Sequence, residues 1–391
     1  MAKLRDRAIA GLLFAVLATA GVGCGDSGED AASGSGTGAA STAADSADDA
    51  VAKAQEIVDK ATAVPEFTPP GPAFDASKAK GKVLFDIPLN SSIPTAALKL
   101  SVYKEIAKKI GFKFVDYPNQ GQPSDWVQGM NTAIAQKADL IVLDGSPNPK
   151  LLEPQIKQAR DAGIPVLVTH YFDETSEPPT DIDAIVPAPF NLSGKLEANW
   201  VIADSGGKAG VLVVQASDAP PSAGILKTIQ DEFAAACPDT CKTTVVDVPV
   251  VDWTTKTQGE VQSALVRDPN INYVLPMYDA MAPFAAAAVV AGGATGSVKI
   301  GSFNGTPSVL KMIQDGSPVA MDAGENPEWL AYANMDQALR MLAGEEPVKT
   351  ENTPIRIFTK DNVDDAGTPP ELGKGYGDAY KSGYEALWGL K

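Results

Sequence analysis

The stretch from Asp139 to Asp173, DLIVLDGSPNPKLLEPQIKQARDAGIPVLVTHYFD, constrains this chain most, because it reads as strand, helix, strand. Leu140 to Leu143 is an unbroken apolar run, as in a parallel strand buried on both faces. Pro154 fits the first turn of a following helix, where its missing N–H costs little. Ile156 and Ala159 fall on that helix's inner face, and Gly163 with Pro165 ends it. Val166 to Val168 read as a second buried strand that delivers Thr169, His170, Tyr171 and Asp173 to its C-terminal end. Ligands bind beyond that end in open parallel sheets. His170 is the only histidine in 391 residues.

The same arrangement occurs twice. In the first half, KVLFDIPL (82–89) leads to a helix with Leu100, Tyr103, Ile106, Ala107 and Ile110 at helical spacing. FKFVDYP (112–118), a helix opened by Ser124-Asp125-Trp126, DLIVLD and VLVTH follow. In the second half, AGVLVVQAS (209–217) leads to a helix carrying Ile225, Ile229 and Phe233. TTVVDVP (243–249), a helix opened by Asp252-Trp253, NYVLPMYD (272–279) and VKIGSFNG (298–305) follow. FVDYP parallels VVDVP, SDW parallels VDW, and VLDG parallels PMYD. Two arrays of alternating strand and helix imply an α/β chain of two doubly wound parallel-sheet lobes. Their strand ends would face one cleft, the default ligand site.

The ends of the chain read differently. Lys3, Arg5 and Arg7 followed by the apolar stretch Ala8–Ala20 form a targeting segment too short to span a bilayer. Gly21-Val22-Gly23 before Cys24 looks like a lipoprotein signal cleaved at residues 1–23, with Cys24 lipidated; an ordinary secretory peptide is the alternative. Residues 24–76 read as a lipid-anchored flexible tether, Gly-, Ser-, Ala- and Asp-rich to about residue 50 and proline-rich from Pro65 to Phe74, with a short helix allowed over Val51–Thr62. In an oxidising compartment, Cys237 and Cys241 of CPDTC would pair, with zinc as the rival reading. A net charge of −17 argues against nucleic acid and bare anionic membrane as partners.

The order of these elements, with LNSSIP after the first strand, DW before a helix, YDAMA, GSFNGTP and ENP, resembles the type I periplasmic binding proteins, the ribose/galactose-type sugar-binding branch. The likeness covers Lys80 to Val363. It implies three crossings between lobes, near Phe190, Asn326 and Thr353. Residues 77–190 plus 326–350 would form the N-terminal lobe. Residues 191–325 plus 351–391 would form the C-terminal lobe, with a terminal helix carrying Tyr376, Tyr380, Tyr384 and Trp388 packed outside. The implied partners are a small-molecule ligand and an ABC permease with its ATPase, the chain being a monomer with no cofactor.

The resemblance also carries ligand positions onto this sequence. Asn90 is kept after the first strand, while Ser91, Ser92 and Ile93 replace the family's aromatics. His170 and Tyr171 stand where sugar binders keep an Asp-Arg pair. Trp253 matches a stacking aromatic, Tyr278 replaces an Asn, and Asp279 is kept. Asn304 replaces an Asp in the family's G-F-D-G-T, and Glu325 stands where Gln is common. Asp218, at the end of a strand, completes the candidate ligand set. Losing the Asp-Arg pair removes both an acceptor and a forked donor for vicinal hydroxyls. The expected ligand is therefore not a common pentose or hexose but an aromatic or polyol-like molecule.

Plainer readings stand beside these. A lone histidine at a strand end is a hydrogen-bonding wall more often than a catalytic base. Trp126 reads as core, and Trp253 would too without the resemblance. Asp144, Asp173, Asp218 and Asp279 stand at strand ends from which a metal or acid-base site could be built, but capping is the better reading for Asp144 and Asp218, with Asp279 nearer even. G-x-S-x-G, P-loop and HExxH motifs do not occur, so neither catalysis nor a metal has a positive signal. The expected function is capture of a small solute outside the membrane for an ABC importer. A sensory receptor on the same fold and an extracytoplasmic enzyme are the alternatives.

Overall fold

The computed structural model describes residues 38–145, 147–177, 179–351 and 353–390. The signal segment and Cys24 lie outside the described residues. Residues 43–391 form one compact unit. Among the described residues no helix is long and apolar enough to cross a membrane.

The first helix is α1 (Gly38–Thr62). The first lobe follows as β1 (Val83–Pro88), α2 (Pro94–Ile110), β2 (Lys113–Asp116), α3 (Pro123–Ala135), β3 (Leu140–Asp144), α4 (Glu153–Asp161), β4 (Val166–Asp173) and β5 (Ala184–Ala188). Its strands lie in the order β2-β1-β3-β4-β5, every pairing parallel. The second lobe follows as α5 (Phe190–Ser205), β6 (Ala209–Gln215), α6 (Ser222–Ala236), β7 (Cys241–Asp247), α7 (Trp253–Arg267), β8 (Tyr273–Pro276), α8 (Ala282–Ala291), β9 (Lys299–Asn304), α9 (Pro307–Gln314) and β10 (Val319–Glu325). The chain then makes α10 (Pro327–Ala343), β11 (Ile355–Thr359) and α11 (Ala379–Leu387). The second sheet runs β11-β10-β9-β8-β6-β7. From β7 to β10 this is the order of the first sheet, so the doubling seen in the sequence is a doubling of topology. β11 adds an antiparallel strand at the edge of the second sheet.

Burial explains why these segments take these forms. Leu140 to Leu143 and Val166 to Val168 are at most 1% exposed, as strands covered by helices on both faces must be. Trp126 is core, with its indole N–H donating to Leu89 O at 3.0 Å. Cys237 and Cys241 are bridged across a turn with Cα atoms 5.3 Å apart.

The chain passes between the two sheets between β5 and α5, between β10 and α10, and between α10 and β11. The crossings are held locally. Asn326 caps α10 by accepting from the N–H groups of Glu328 (2.9 Å) and Trp329 (3.2 Å). Asp173, at the end of β4 in the first lobe, accepts from the backbone N–H of Asn191 (2.8 Å) and its side-chain amide (2.6 Å), so one lobe caps the first helix of the other.

Two expectations need correction. The tether does not stay flexible to residue 76. The backbone is helical from Gly38, and Ala54 and Val58 are buried in the second lobe's core. Val51, Ala54, Ile57, Val58 and Ala61 make an apolar stripe at helical spacing, and that stripe docks α1. The proline-rich segment then lays Phe67 edge-on against Tyr384 at 4.9 Å and Phe74 beneath the Arg340 guanidinium at 4.5 Å. The terminal helix does not belong with the second lobe. Tyr380, Tyr384, Leu387 and Trp388 are buried in the first lobe's core with Leu84, Val102 and Leu339.

Candidate functional site

A cavity of about 530 Å³ opens between the C-terminal ends of the two sheets. That is within the range of small-molecule sites. It takes its walls from both lobes. The first lobe supplies Leu89, Asn90, Ile93, Lys99, Asp144 and His170, and the second supplies Trp253, Tyr278, Asn304, Thr306 and Glu325.

His170 lies in β4 just past Thr169, where the pairing with β5 shifts register, with φ of 59°, in the left-handed region that a residue with a side chain rarely adopts. That backbone turns its ring toward the other lobe, where Nε2 lies 2.9 Å from Glu325 Oε2. Phe190 backs the ring at 5.4 Å. Asn304, at the end of β9, has φ of 141°, and its amide donates to Glu325 Oε1 at 3.4 Å. Among the described residues, the only other non-glycine with positive φ is Lys137. Backbone strain of this kind gathers at ligand clamps, and here it lies on both sides of Glu325.

Trp253 and Tyr278 stack on one another, ring centres 5.4 Å apart and 28° from parallel. The Trp253 indole N–H donates to Val248 O at 3.1 Å, which fixes the ring as an apolar wall. The Tyr278 hydroxyl reaches Ser222 Oγ at 3.4 Å, and burial raises its pKa.

Not every candidate faces the cavity. Asn90 lines it, yet its amide donates to Gln120 O (3.0 Å) and its carbonyl accepts from Ser92, so its polar atoms close the rim turn. Ser91 accepts from the Asn119 N–H at 3.0 Å and holds the neighbouring loop instead. Tyr171 points along the rim to Asn148 (3.2 Å) and packs edge-on to Phe172. Asp218 accepts from the Val250 N–H and joins two loops of the second lobe. Asp279 lies buried behind the wall, accepting from Ser302 Oγ (2.8 Å), Thr306 N (2.7 Å) and Thr306 Oγ (2.6 Å). It holds the turn that presents Asn304 and Thr306.

Behind that turn, buried carboxyl groups crowd together. Asp322 accepts from the Gly305 N–H at 2.9 Å, and its pKa is pushed well up by burial and then by the charge of Asp279. Glu197 is fully buried on α5 with no hydrogen-bond partner on either carboxylate oxygen among the described residues, and burial followed by the Asp279 charge pushes its pKa well up. Burial raises Asp279 as well, while its hydrogen bonds pull the other way. Among the described residues, no group of three or more His, Cys, Asp or Glu is arranged to hold a metal ion.

The most consequential residue that sequence reading passed over is Lys99. It lies on α2 and is 7% exposed; its ammonium donates to Asp144 Oδ1 at 2.6 Å. Asp144 also accepts from Thr169 Oγ (2.8 Å) and the Asn334 amide (3.2 Å). Lys99, Asp144 and Asn334 all line the cavity. A signal existed. Lys99 continues the buried stripe of Tyr103, Ile106 and Ile110 one turn toward the N-terminus, and a charge on such a stripe requires a partner. The arrangement can accept from and donate to hydroxyl groups while stacking an apolar face, and it shows no activated nucleophile.

Comparison with known proteins bears on the family and the fold. The family model described as "Periplasmic binding protein domain" matches residues 101–346. A D-ribose/D-allose-binding protein of Pseudomonas aeruginosa is 24% identical over 60% of this chain and 74% of its own. Among solved structures, an Agrobacterium vitis ABC transporter solute-binding protein with bound allitol superposes with a TM-score of 0.63. It is 21% identical and covers 74% of this chain and 99% of its own. A Thermotoga lettingae 5-methylthioribose transporter solute-binding protein superposes with a TM-score of 0.60. It is 20% identical and covers 79% of this chain and 98% of its own.

Proposed function

Because the chain belongs to the periplasmic binding protein domain family, whose members act outside the cytoplasm, we propose that it captures a small sugar- or polyol-like solute between its lobes and delivers it to an ABC importer. The observation that carries this reading is the cavity itself. Its polar contacts come from both lobes and meet across it, with His170 of the first lobe 2.9 Å from Glu325 of the second. A solute touching both walls binds the closed arrangement better than the open one, and that differential affinity drives closure. The crossings beside Pro189, Asn326 and Pro354 absorb the backbone change.

In this reading, Lys99 and Asp144 form one polar anchor, with Asn304, Thr306 and Glu325 as the other. Trp253 supplies the stacking face. The relatives named for ribose, allose, allitol and 5-methylthioribose support a hydroxylated ligand. The partners are a membrane permease pair and its ATPase, contacted by the rims of both lobes, and the chain acts as a monomer held at the membrane by a lipid on Cys24. Isothermal titration calorimetry against ribose, allose, galactose, allitol and glycerol tests the reading. Saturable one-to-one binding of at least one, weakened tenfold or more by Trp253→Ala, supports it. No binding across the panel counts against it.

A further inference from the structure

Past β11, and so beyond both the family-matched residues 101–346 and the α10–β11 crossing, the chain crosses between lobes once more. After β11, Val363 and Ala366 are buried in the second lobe's core, and so is Tyr376, whose ring meets Phe358 at 5.4 Å. Three residues later α11 begins, and its Tyr380 stacks on Trp329 at 4.5 Å in the first lobe. Residues 367–378 therefore pass from one lobe to the other beside the hinge. They are fastened at both ends. Gly367 O accepts from the Gln314 amide at 2.8 Å, and Gly375 O accepts from the guanidinium of Arg356. Gly373 sits against Asn326, the cap of α10, and against Leu98 of α2, and its φ of 78° suits the bend there.

Leu372, at the middle of this crossing, lines the ligand cavity. It joins Leu89, Ile93, Ala96 and Leu330, which come from the first-strand loop and the first turns of α2 and α10, in the same lining. Leu89, Ile93, Ala96 and Leu372 are only half-buried, so this corner presents apolar surface to the cavity. Hydroxyl-binding groups share this lining, Lys99 with Asp144 on one side and Asn304, Thr306 and Glu325 on the other. Five aliphatic side chains in one lining give an apolar substituent a wall to lie against.

We propose that the C-terminal crossing selects the ligand through Leu372, and that the solute is a sugar or polyol carrying an apolar substituent that lies against the Leu372 corner. This rests on the solute-capture reading above and deepens it. Burying a substituent of a few carbons against this corner raises affinity about tenfold or more. Leu372 is half-buried on a loop, so a polar residue of similar size is tolerated there without a core cost.

The test is calorimetry on the wild-type chain, Leu372→Asn and Leu372→Met. The probes are free ribose and galactose, the phenyl β-glycoside of each, and 5-alkylthio ribose. The expected result is at least tenfold tighter binding of a substituted sugar than of its parent by the wild type. Leu372→Asn should lower affinity for the substituted sugar at least several-fold more than affinity for its parent, removing most of that advantage, and Leu372→Met should retain it. Equal or tighter binding of the free sugars by the wild type overturns the inference and leaves solute capture standing. An advantage for the substituted sugars that survives Leu372→Asn also overturns the role of the crossing. Binding of no free or substituted sugar overturns both.

Discussion

Replacing Lys99 by Met removes one member of an ion pair whose side chains are 9% and 2% exposed. The remaining Asp144 carboxylate keeps its hydrogen bonds from Thr169 and Asn334, so it is not stranded entirely. Breaking a buried pair from one side costs about 3–5 kcal/mol, and the two surviving bonds place this case near 3 kcal/mol. For a lobe-sized cooperative unit, that corresponds to a fall in Tm of roughly 6–12 °C. The double variant Lys99→Met with Asp144→Asn removes the stranded charge and should recover at least half of the loss. Urea unfolding of the two single variants and the double variant measures the coupling directly. A cost below about 1 kcal/mol for Lys99→Met, or strict additivity in the double variant, would refute the view that this pair is a buried polar anchor of the cavity wall.

Three further outcomes follow from the packing. The pKa of Glu197 is raised in the folded chain, so its contribution to stability is full below the unfolded value near 4.3 and disappears as pH rises through the raised folded value. Glu197→Gln should therefore gain on the wild type as pH rises from 5 to 8 in thermal melts; a constant difference would show that the carboxyl does not titrate as its burial demands. Phe67→Ala should cost about 2 kcal/mol, less than a full core phenylalanine because the ring is half-buried, and should expose residues 63–75 to limited proteolysis; unchanged protection would mean that the ring does not hold the segment. Asp173→Ala removes the cross-lobe cap of α5, so it should cost about 1–2 kcal/mol and speed amide exchange over residues 190–193, whereas an unaffected exchange rate would rule out that cap.

The sheets were legible because their signals are local. Leu140–Leu143 and Val166–Val168 are short apolar runs bounded by turn residues, and their counterparts in the second half repeat the order. The cavity was legible in part. His170, Trp253, Tyr278, Asn304 and Glu325 stand at strand or helix ends that topology brings together. Asn90, Ser91 and Asp218 also stand there, but short polar side chains satisfy the nearest backbone group first, and rim turns took theirs. Leu372 and the docking of α1 were hidden because each depends on contacts far apart in sequence. Nothing in the proline-rich segment around Phe67 announces that its ring will pack on Tyr384, more than 300 residues away. Lys99 was legible in principle, as a charge on an otherwise apolar stripe.

A solute held by both lobes should close them on each other. Spin labels attached through cysteines introduced at exposed Lys157 on α4 and Lys227 on α6 report one lobe each. Double electron–electron resonance on the labelled protein, with and without the solute selected by calorimetry, reads the separation of the two lobes. The account predicts that saturating solute shifts the distance distribution to a new, narrower population at the concentration where calorimetry saturates. Full binding with an unchanged distribution would contradict capture by closure.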